Sequence, residues 1–139
     1  MNEQANTQLV QGAYISFNAG DIPSFLNKLA ADVRWELPEM TDVPFAGTWI
    51  GREQVKRFFS RLAEVQDVLE YEPEEFIAQG ETVVVLGRFA MHVKGTGRDS
   101  RSAWAHVWKI EQGTVRSVRE YVDTLAVSRA HSDRIWNAG

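Results

Sequence analysis

The first half of the chain carries apolar residues at helical spacing. In the first 20 residues the apolar positions recur three or four residues apart, which predicts a helix that ends at Asn18-Ala19-Gly20. Asp21 is suited to cap a second helix that has Pro23 in its first turn. A third helix is predicted where apolar residues again follow this spacing, at Val55, Phe58, Phe59 and Leu62.

Between the second and third predicted helices, the sequence predicts first a short strand and then a long loop. Residues 33–37 form a short run that predicts a strand ending at Pro38. Residues 38–51 read PEMTDVPFAGTWIG, and the proline, glycine and aspartate residues spread through this segment are typical of a loop. A loop of this length in a compact domain often covers a binding site.

From about Leu69 onward, apolar residues alternate with polar ones or form β-branched runs. This pattern predicts four strands, with hairpin turns at Gly80, residues 94–97 and residues 111–113. Residues 124–136 predict a closing helix, for which Asp123 is the N-cap or the structural end of the last strand. Helices followed by a strand meander are typical of an α+β fold, in which the helices pack on one side of a bent antiparallel sheet.

One predicted strand carries an unusual row of side chains. Residues 103–110 read AWAHVWKI, and because successive side chains of a strand point to opposite faces, Trp104, His106 and Trp108 share one face. A histidine between two indoles is either an acid–base group in an apolar pocket or a core histidine with one satisfied hydrogen bond.

The next strand supplies a carboxylate to the same face. If residues 111–113 form a three-residue hairpin loop, the pairs on this face are Trp108 with Arg116, His106 with Val118, and Trp104 with Glu120. A carboxylate on an apolar wall is costly without a partner, and Arg88 is one candidate. A loop of two or four residues would instead present Arg119, Tyr121 and Asp123 to the face.

Composition and charge narrow the functional classes. The 139 residues suit a single domain over residues 1–139, and the net charge of -4 argues against nucleic acid as a partner. The chain has no cysteine, which excludes disulfides and thiolate chemistry. We expect no metal site, because the three histidines fall on different predicted elements without metal-binding spacing: His92, His106 and His131.

The N-terminal residues lack the basic flank and apolar run of a signal peptide. No segment approaches the roughly 20 apolar residues that are needed to span a bilayer. We therefore expect a cytoplasmic protein without a membrane partner.

Three segments resemble the SnoaL-like and ketosteroid-isomerase-like branches of the nuclear transport factor 2-like superfamily. They are NAGDIPSFLNKLAADVRWELP, FAGTWIGREQVKRFF and GRDSRSAWAHVWKIEQGTVRSVREYVDT, and the likeness spans nearly the whole chain. The resemblance implies a cystatin-like α+β cone, with three N-terminal helices packed on a strongly bent antiparallel sheet and a short C-terminal helix. It also implies a deep apolar pocket and a homodimer formed through the outer face of the sheet, where Val84, Leu86, Ala105 and Val107 would lie.

The chemical residues of two relatives are incomplete in this sequence. Ketosteroid isomerase uses a carboxylate base together with a tyrosine and a protonated aspartate. The resemblance places Leu37 at the base position and His106 at the aspartate position, while Tyr14 lies one residue from the tyrosine position. The base of that mechanism is therefore missing, although a neutral histidine could still donate one hydrogen bond.

The limonene-epoxide-hydrolase branch uses an Asp–Arg–Asp set, of which Glu120 matches one carboxylate. The other two positions fall on Gly87 and Phe89, or on Arg88 and Ala90 after a shift of one residue, so neither register supplies a second acid. SnoaL-like cyclases need only one acid–base residue and an apolar pocket, and this sequence is compatible with that requirement.

The sequence therefore predicts a protein that binds a small hydrophobic, ring-containing molecule, and that acts as a cofactor-independent isomerase, cyclase or hydrolase. The predicted catalytic residues are His106 and Glu120. The predicted ligand-binding residues are Tyr14, Trp35, Leu37, Trp49, Phe89, Trp104, Trp108, Val118 and Val122. The alternative is a non-catalytic ligand carrier or a dimeric interaction module.

Overall fold

The computed structural model describes residues 2–133, and its helices begin and end at local capping signals. These residues form α1 (Glu3–Asn18), α2 (Ile22–Leu26), α3 (Arg52–Val65) and α4 (Thr124–His131). The Asp21 carboxylate accepts a hydrogen bond from the Ser24 amide at 3.2 Å, and the Asp123 carboxylate accepts one from the Ala126 amide at 3.0 Å. These hydrogen bonds confirm both predicted caps. Each joins residues only three positions apart, so the local sequence was enough to predict it.

The closing helix is shorter than predicted. It ends at His131, and residues 134–136 of the prediction lie outside the described residues. No helix in the described range of the chain is long and apolar enough to cross a membrane.

Within residues 2–133 the strands form a six-stranded sheet with the order β2-β1-β6-β5-β4-β3. Their bounds are β1 (Leu29–Glu36), β2 (Thr48–Ile50), β3 (Gln66–Gln79), β4 (Thr82–Val93), β5 (Asp99–Glu111) and β6 (Thr114–Val122). The predicted meander is confirmed as β3 to β6, and two further strands extend it. β1 pairs in parallel with β6 and antiparallel with β2, so the predicted loop over residues 38–51 includes a strand near its end.

The predicted register between β5 and β6 is wrong by two residues. His106 pairs with Glu120 rather than Val118, Trp104 pairs with Val122, and Trp108 pairs with Val118. The turn contains only Gln112 and Gly113, both with positive φ, as in the hairpin turns that match strand twist.

A two-residue turn alone would have put the opposite face of β6 beside the histidine. The ladder shifts between Lys109 and Ile110, where Arg116 is the extra residue of a bulge. The bulge reverses the side-chain alternation once more, so Val118, Glu120 and Val122 face the same side as His106 after all.

The helices cover one face of the sheet, which we call the inner face. α1 contacts β3 and β4, while α3 contacts β1 and β2. The core between them is largely aromatic: the ring centroids of Trp35 and Trp108 are 6.1 Å apart, and those of Phe25 and Phe59 are 5.0 Å apart. Burying one such side chain stabilises the fold by about 1.5–3 kcal/mol. The opposite, outer face carries Ala105, Val107 and Lys109.

Candidate functional site

A cavity of about 570 Å³ lies between the helices and the inner face of the sheet. Most of the side chains around it are aromatic or aliphatic. Both predicted catalytic residues line it, His106 and Glu120. The predicted ligand-binding residues that line it are Tyr14, Trp35, Leu37, Phe89, Trp108, Val118 and Val122.

His106 and Glu120 face each other on neighbouring strands of the cavity wall. His106 Nε2 lies 2.9 Å from Glu120 Oε1, and the two side chains are 5% and 16% exposed. The pairing of these two positions in the β5–β6 ladder brings the groups together. Their contact is a fact of the fold, whereas their catalytic role stays a prediction.

Tyr14 holds the second ring nitrogen of the histidine. The Tyr14 hydroxyl lies 2.7 Å from His106 Nδ1, and the Trp108 indole N–H donates to the same hydroxyl oxygen at 2.9 Å. Because the indole is only a donor, the single Tyr14 proton is assigned to the bond with Nδ1. His106 Nε2 then carries the ring proton and donates it to Glu120. The network therefore orients the imidazole from both sides.

Tyr71 is a site residue that the sequence reasoning missed. Its hydroxyl lies 3.4 Å from His106 Nε2, and its ring stacks on Trp104 with the centroids 5.1 Å apart. The available signal was a single aromatic residue between Glu70 and Glu72 in a predicted strand. Bulges in β3 on both sides of Tyr71 interrupt the alternation that would have placed it on the inner face.

The two phenols are held in their protonated form. Burial raises the pKa of Tyr14 well above its ordinary value, the hydrogen bond from Trp108 lowers it, and the negative charge of Glu120 raises it again. Burial also raises the pKa of Tyr71 well above its ordinary value, with further increases from Glu120 and Tyr14. Both hydroxyls are therefore hydrogen-bond donors at neutral pH.

Trp104 does not line the cavity, contrary to the prediction. Its ring lies behind His106, with the two centroids 4.1 Å apart, and it covers Gly87 on β4. A Cβ at position 87 would overlap both the Trp104 ring and the Glu72 carbonyl oxygen. The Trp104 indole therefore occupies the space that a side chain at position 87 would need. For the same reason an acidic residue does not fit at position 87.

Two other expectations are also corrected. Trp49 lies on the short edge strand β2, where it packs against Phe58 and donates its indole N–H to the Phe45 carbonyl at 3.1 Å, so it does not line the cavity. Arg88 is not the partner of Glu120. Its side chain points to the outer face and pairs with Glu74 at 3.2 Å.

Leu37, which the family resemblance places at the position of the ketosteroid-isomerase base, lines the cavity with an apolar side chain. The neighbouring Glu36 contacts Arg34 and lies 3.5 Å from Arg119, away from the cavity. Among the described residues that line the cavity, Glu120 is the only carboxylate.

These features define a nuclear transport factor 2-like cone with an acid–base cluster on its inner wall. The family model for the SnoaL-like domain matches residues 10–118, and the chain belongs to this family. No curated protein matches the sequence.

Solved structures agree with this assignment. An NTF2-like protein from Burkholderia xenovorans is 34% identical, with 95% of this chain and 99% of that chain covered and a TM-score of 0.86. An NTF2-like protein of unknown function from Burkholderia pseudomallei is 32% identical, with coverage of 95% and 99% and a TM-score of 0.83. TerC, co-crystallized with polyporic acid, is 27% identical, with coverage of 91% and 98% and a TM-score of 0.82. The predicted cone fold is confirmed.

Proposed function

We propose that the protein binds a small, ring-containing hydrophobic molecule in the cavity and moves a proton on it with the His106–Glu120 pair. The contact of 2.9 Å between these groups carries the proposal, because the pair lies on the wall of a largely apolar cavity. A polar pair in such a place is costly to bury, and general acid–base catalysis requires this kind of group within reach of a bound molecule. The proposed reaction uses only side chains of this chain.

Glu120 is the base in the proposed reaction. Its Oε1 accepts the hydrogen bond from His106, while no described residue hydrogen-bonds its Oε2. That oxygen can take a proton from a carbon next to a ring carbonyl. The C–H bond breaks, its electron pair moves toward the carbonyl oxygen to form an enolate, and the proton goes to the carboxylate. Return of the proton to the same carbon gives exchange, and return to a conjugated carbon gives an isomer.

Tyr71 supplies a donor for the negative charge of the enolate, while His106 orients Glu120 through its Nε2 proton. The Tyr71 hydroxyl lines the cavity close to His106 Nε2, and its raised pKa keeps it protonated. A donor held in place before the reaction stabilises developing charge more than water does. Tyr14 is a positioning residue, since its hydroxyl is occupied by His106 and Trp108.

The geometry favours a carbonyl substrate over an epoxide. Epoxide opening by paired carboxylates needs a second acid in the cavity. Glu120 is the only carboxylate among the described lining residues, and the crowding at Gly87 prevents a second acid at that position. Proton transfer next to a carbonyl needs one base and one or two neutral donors, which the cluster provides.

A relative supports the ligand class. TerC was co-crystallized with the small organic ligand polyporic acid. The cavity of the present protein is lined by aromatic rings such as Phe25, Phe59 and Trp108, which suit the faces of a ring-containing ligand.

Hydrogen–deuterium exchange tests the reaction without knowledge of the natural substrate. The ring ketone 2-tetralone is incubated with the protein in D₂O, and loss of the signal of the protons next to the carbonyl is followed by NMR. We expect the wild type to accelerate exchange, and Glu120→Gln to lower the enzymatic rate by a factor on the order of 10²–10⁴. Glu74→Gln, on the outer face, is the matched control and should retain the wild-type rate.

Equal exchange rates for the wild type and Glu120→Gln would overturn the assignment of the base. The second candidate function, a ligand carrier without catalysis, is favoured by the apolar lining of the cavity. Quenching of tryptophan fluorescence by 2-tetralone without faster exchange would support the carrier.

We further propose that the protein forms a homodimer through the outer face. The exposed apolar groups there include Leu86 at 37% and Tyr121 at 50% exposure. Sedimentation velocity over a range of concentrations tests this proposal, and a monomer at every concentration would contradict it.

A further inference from the structure

A second polar point lies in the cavity, far from the His106 cluster. Ser100 is on the inner face of β5, six residues before His106, and it lines the same cavity while only 2% exposed. Six residues of extended strand span about 20 Å. The buried Ser100 hydroxyl has no hydrogen-bond partner among the described residues.

Two buried polar groups of β5 lack a partner among the described residues, Ser100 Oγ and Trp104 Nε1, and of these two only Ser100 lines the cavity. Ser102 Oγ donates to the Ala103 carbonyl oxygen and accepts from the Asp123 amide at 3.0 Å. A buried hydroxyl without a partner is unfavourable, and most such groups in folded proteins are satisfied. The fold therefore keeps a donor and acceptor at Ser100 that no described residue uses.

Gln66 adds an amide to the same end of the cavity. It is the first residue of β3, lines the cavity, and is 8% exposed. Its side-chain amide can both donate and accept a hydrogen bond. The cross-strand ladder runs from Ser100 to Met91 and from Met91 to Val68, which is two residues from Gln66.

We infer that Ser100 and Gln66 form a recognition point for a hydroxyl or carbonyl group at the far end of an elongated, ring-containing ligand, whose reacting end lies against His106 and Glu120. The inference rests on the proposed function, since that function defines the reacting end. It adds a specificity that an apolar cavity alone would not have, because a site with buried polar groups disfavours a ligand that leaves them unpaired. The substrate class is thus a molecule with polar groups at both ends of a ring system.

Two probes separate this recognition from apolar binding. One is para-terphenyl with a hydroxyl at one end, and the other carries a hydroxyl at both ends. Affinities are measured by quenching of tryptophan fluorescence. We expect the wild type to bind the compound with two hydroxyls about three- to tenfold more tightly, as one additional hydrogen bond allows.

Variants of β5 assign the preference to Ser100. Ser100→Ala should bind both compounds with equal affinity, and its affinity for the compound with one hydroxyl should match that of the wild type. Ser100→Thr, which keeps a hydroxyl, should retain the preference. Ser102→Ala is the matched control, and it too should retain the preference.

The possible failures are distinguishable. Equal affinity of the wild type for the two compounds, or an unchanged preference in Ser100→Ala, overturns the inference and leaves the exchange reaction of 2-tetralone as it stands. Loss of the preference in Ser100→Ala, together with exchange that does not depend on Glu120, supports the recognition point and overturns the proposed reaction. Failure of the wild type to bind either compound overturns the inference, and exchange of 2-tetralone still decides the proposed reaction separately.

Discussion

Two histidine–carboxylate pairs occupy cross-strand positions in the sheet at the same separation. His106 Nε2 lies 2.9 Å from Glu120 Oε1, and His92 Nδ1 lies 2.9 Å from Asp99 Oδ1. The side chains of the first pair are 5% and 16% exposed, and those of the second are 39% and 45% exposed. The two pairs therefore have the same distance between their paired groups, and they differ in how exposed their side chains are to solvent.

Surroundings determine what each pair can do. Solvent can replace either partner of the His92–Asp99 pair, so that pair contributes little to stability. Around His106, the Trp104 ring and the Tyr14 hydroxyl exclude water, so loss of one group leaves others buried without partners. Of the two pairs, only His106 and Glu120 line the cavity. The same residue types thus form a surface contact at one position and a candidate reaction centre at the other.

Alanine substitution of the two histidines should give the largest difference. We expect His106→Ala to lower the free energy of unfolding by about 3 kcal/mol, because it removes a packed ring and leaves Tyr14 and Glu120 without their partner. His92→Ala should change the free energy by less than about 0.5 kcal/mol. Urea unfolding followed by circular dichroism measures both values. Similar losses in the two variants would show that burial does not separate the pairs.

A substitution behind His106 tests how tightly its surroundings are packed. Gly87→Ala should lower the free energy of unfolding by about 2 kcal/mol, because the new methyl group overlaps the Trp104 ring and the Glu72 carbonyl oxygen. Gly95→Ala is the matched control, since no atom lies within 4 Å of a Cβ built there. Thermal unfolding compares the two variants. A Gly87→Ala protein as stable as the Gly95→Ala protein would contradict the close packing of Trp104.

The smallest expected effect is a loss of stability in alkali. The pKa values of Tyr14 and Tyr71 are raised in the folded protein, so above about pH 10 the unfolded chain loses protons that the folded protein retains. Each phenol should therefore reduce the free energy of unfolding by about 1 kcal/mol at pH 11 relative to pH 9.

Tyr71→Phe should lose less stability than the wild type over this pH range, while Tyr121→Phe, on the outer face, should follow the wild type. Urea unfolding at both pH values measures the difference. An identical pH dependence in Tyr71→Phe and the wild type would contradict the burial of its hydroxyl.

Local features of the fold could be predicted from the sequence. The stop at residues 18–20 and the caps at Asp21 and Asp123 were predicted correctly, because the groups involved lie within three residues of each other. Strand alternation likewise placed His106 on the same face as Trp104 and Trp108, since side-chain direction depends only on strand geometry. The family resemblance supplied the cone.

Contacts between distant segments could not be predicted in the same way. The partner of Glu120 depends on a two-residue turn combined with a bulge at Arg116, and neither has a clear signal in the sequence. Tyr71 lies 35 residues before His106 and reaches it only through the β3–β4–β5 ladder. Trp104 was expected to line the cavity, but its ring packs over Gly87, behind His106.

The sequence by itself determined the helix caps at Asp21 and Asp123, the four-strand meander, and which face of β5 carries the histidine. The tertiary structure alone decided that His106 contacts Glu120, that two phenols complete the cluster, and that Ser100 lies unpartnered at the far end of the cavity. The reason is physical: local conformation depends on neighbours along the chain, whereas a buried polar network depends on the register and packing of segments far apart in sequence.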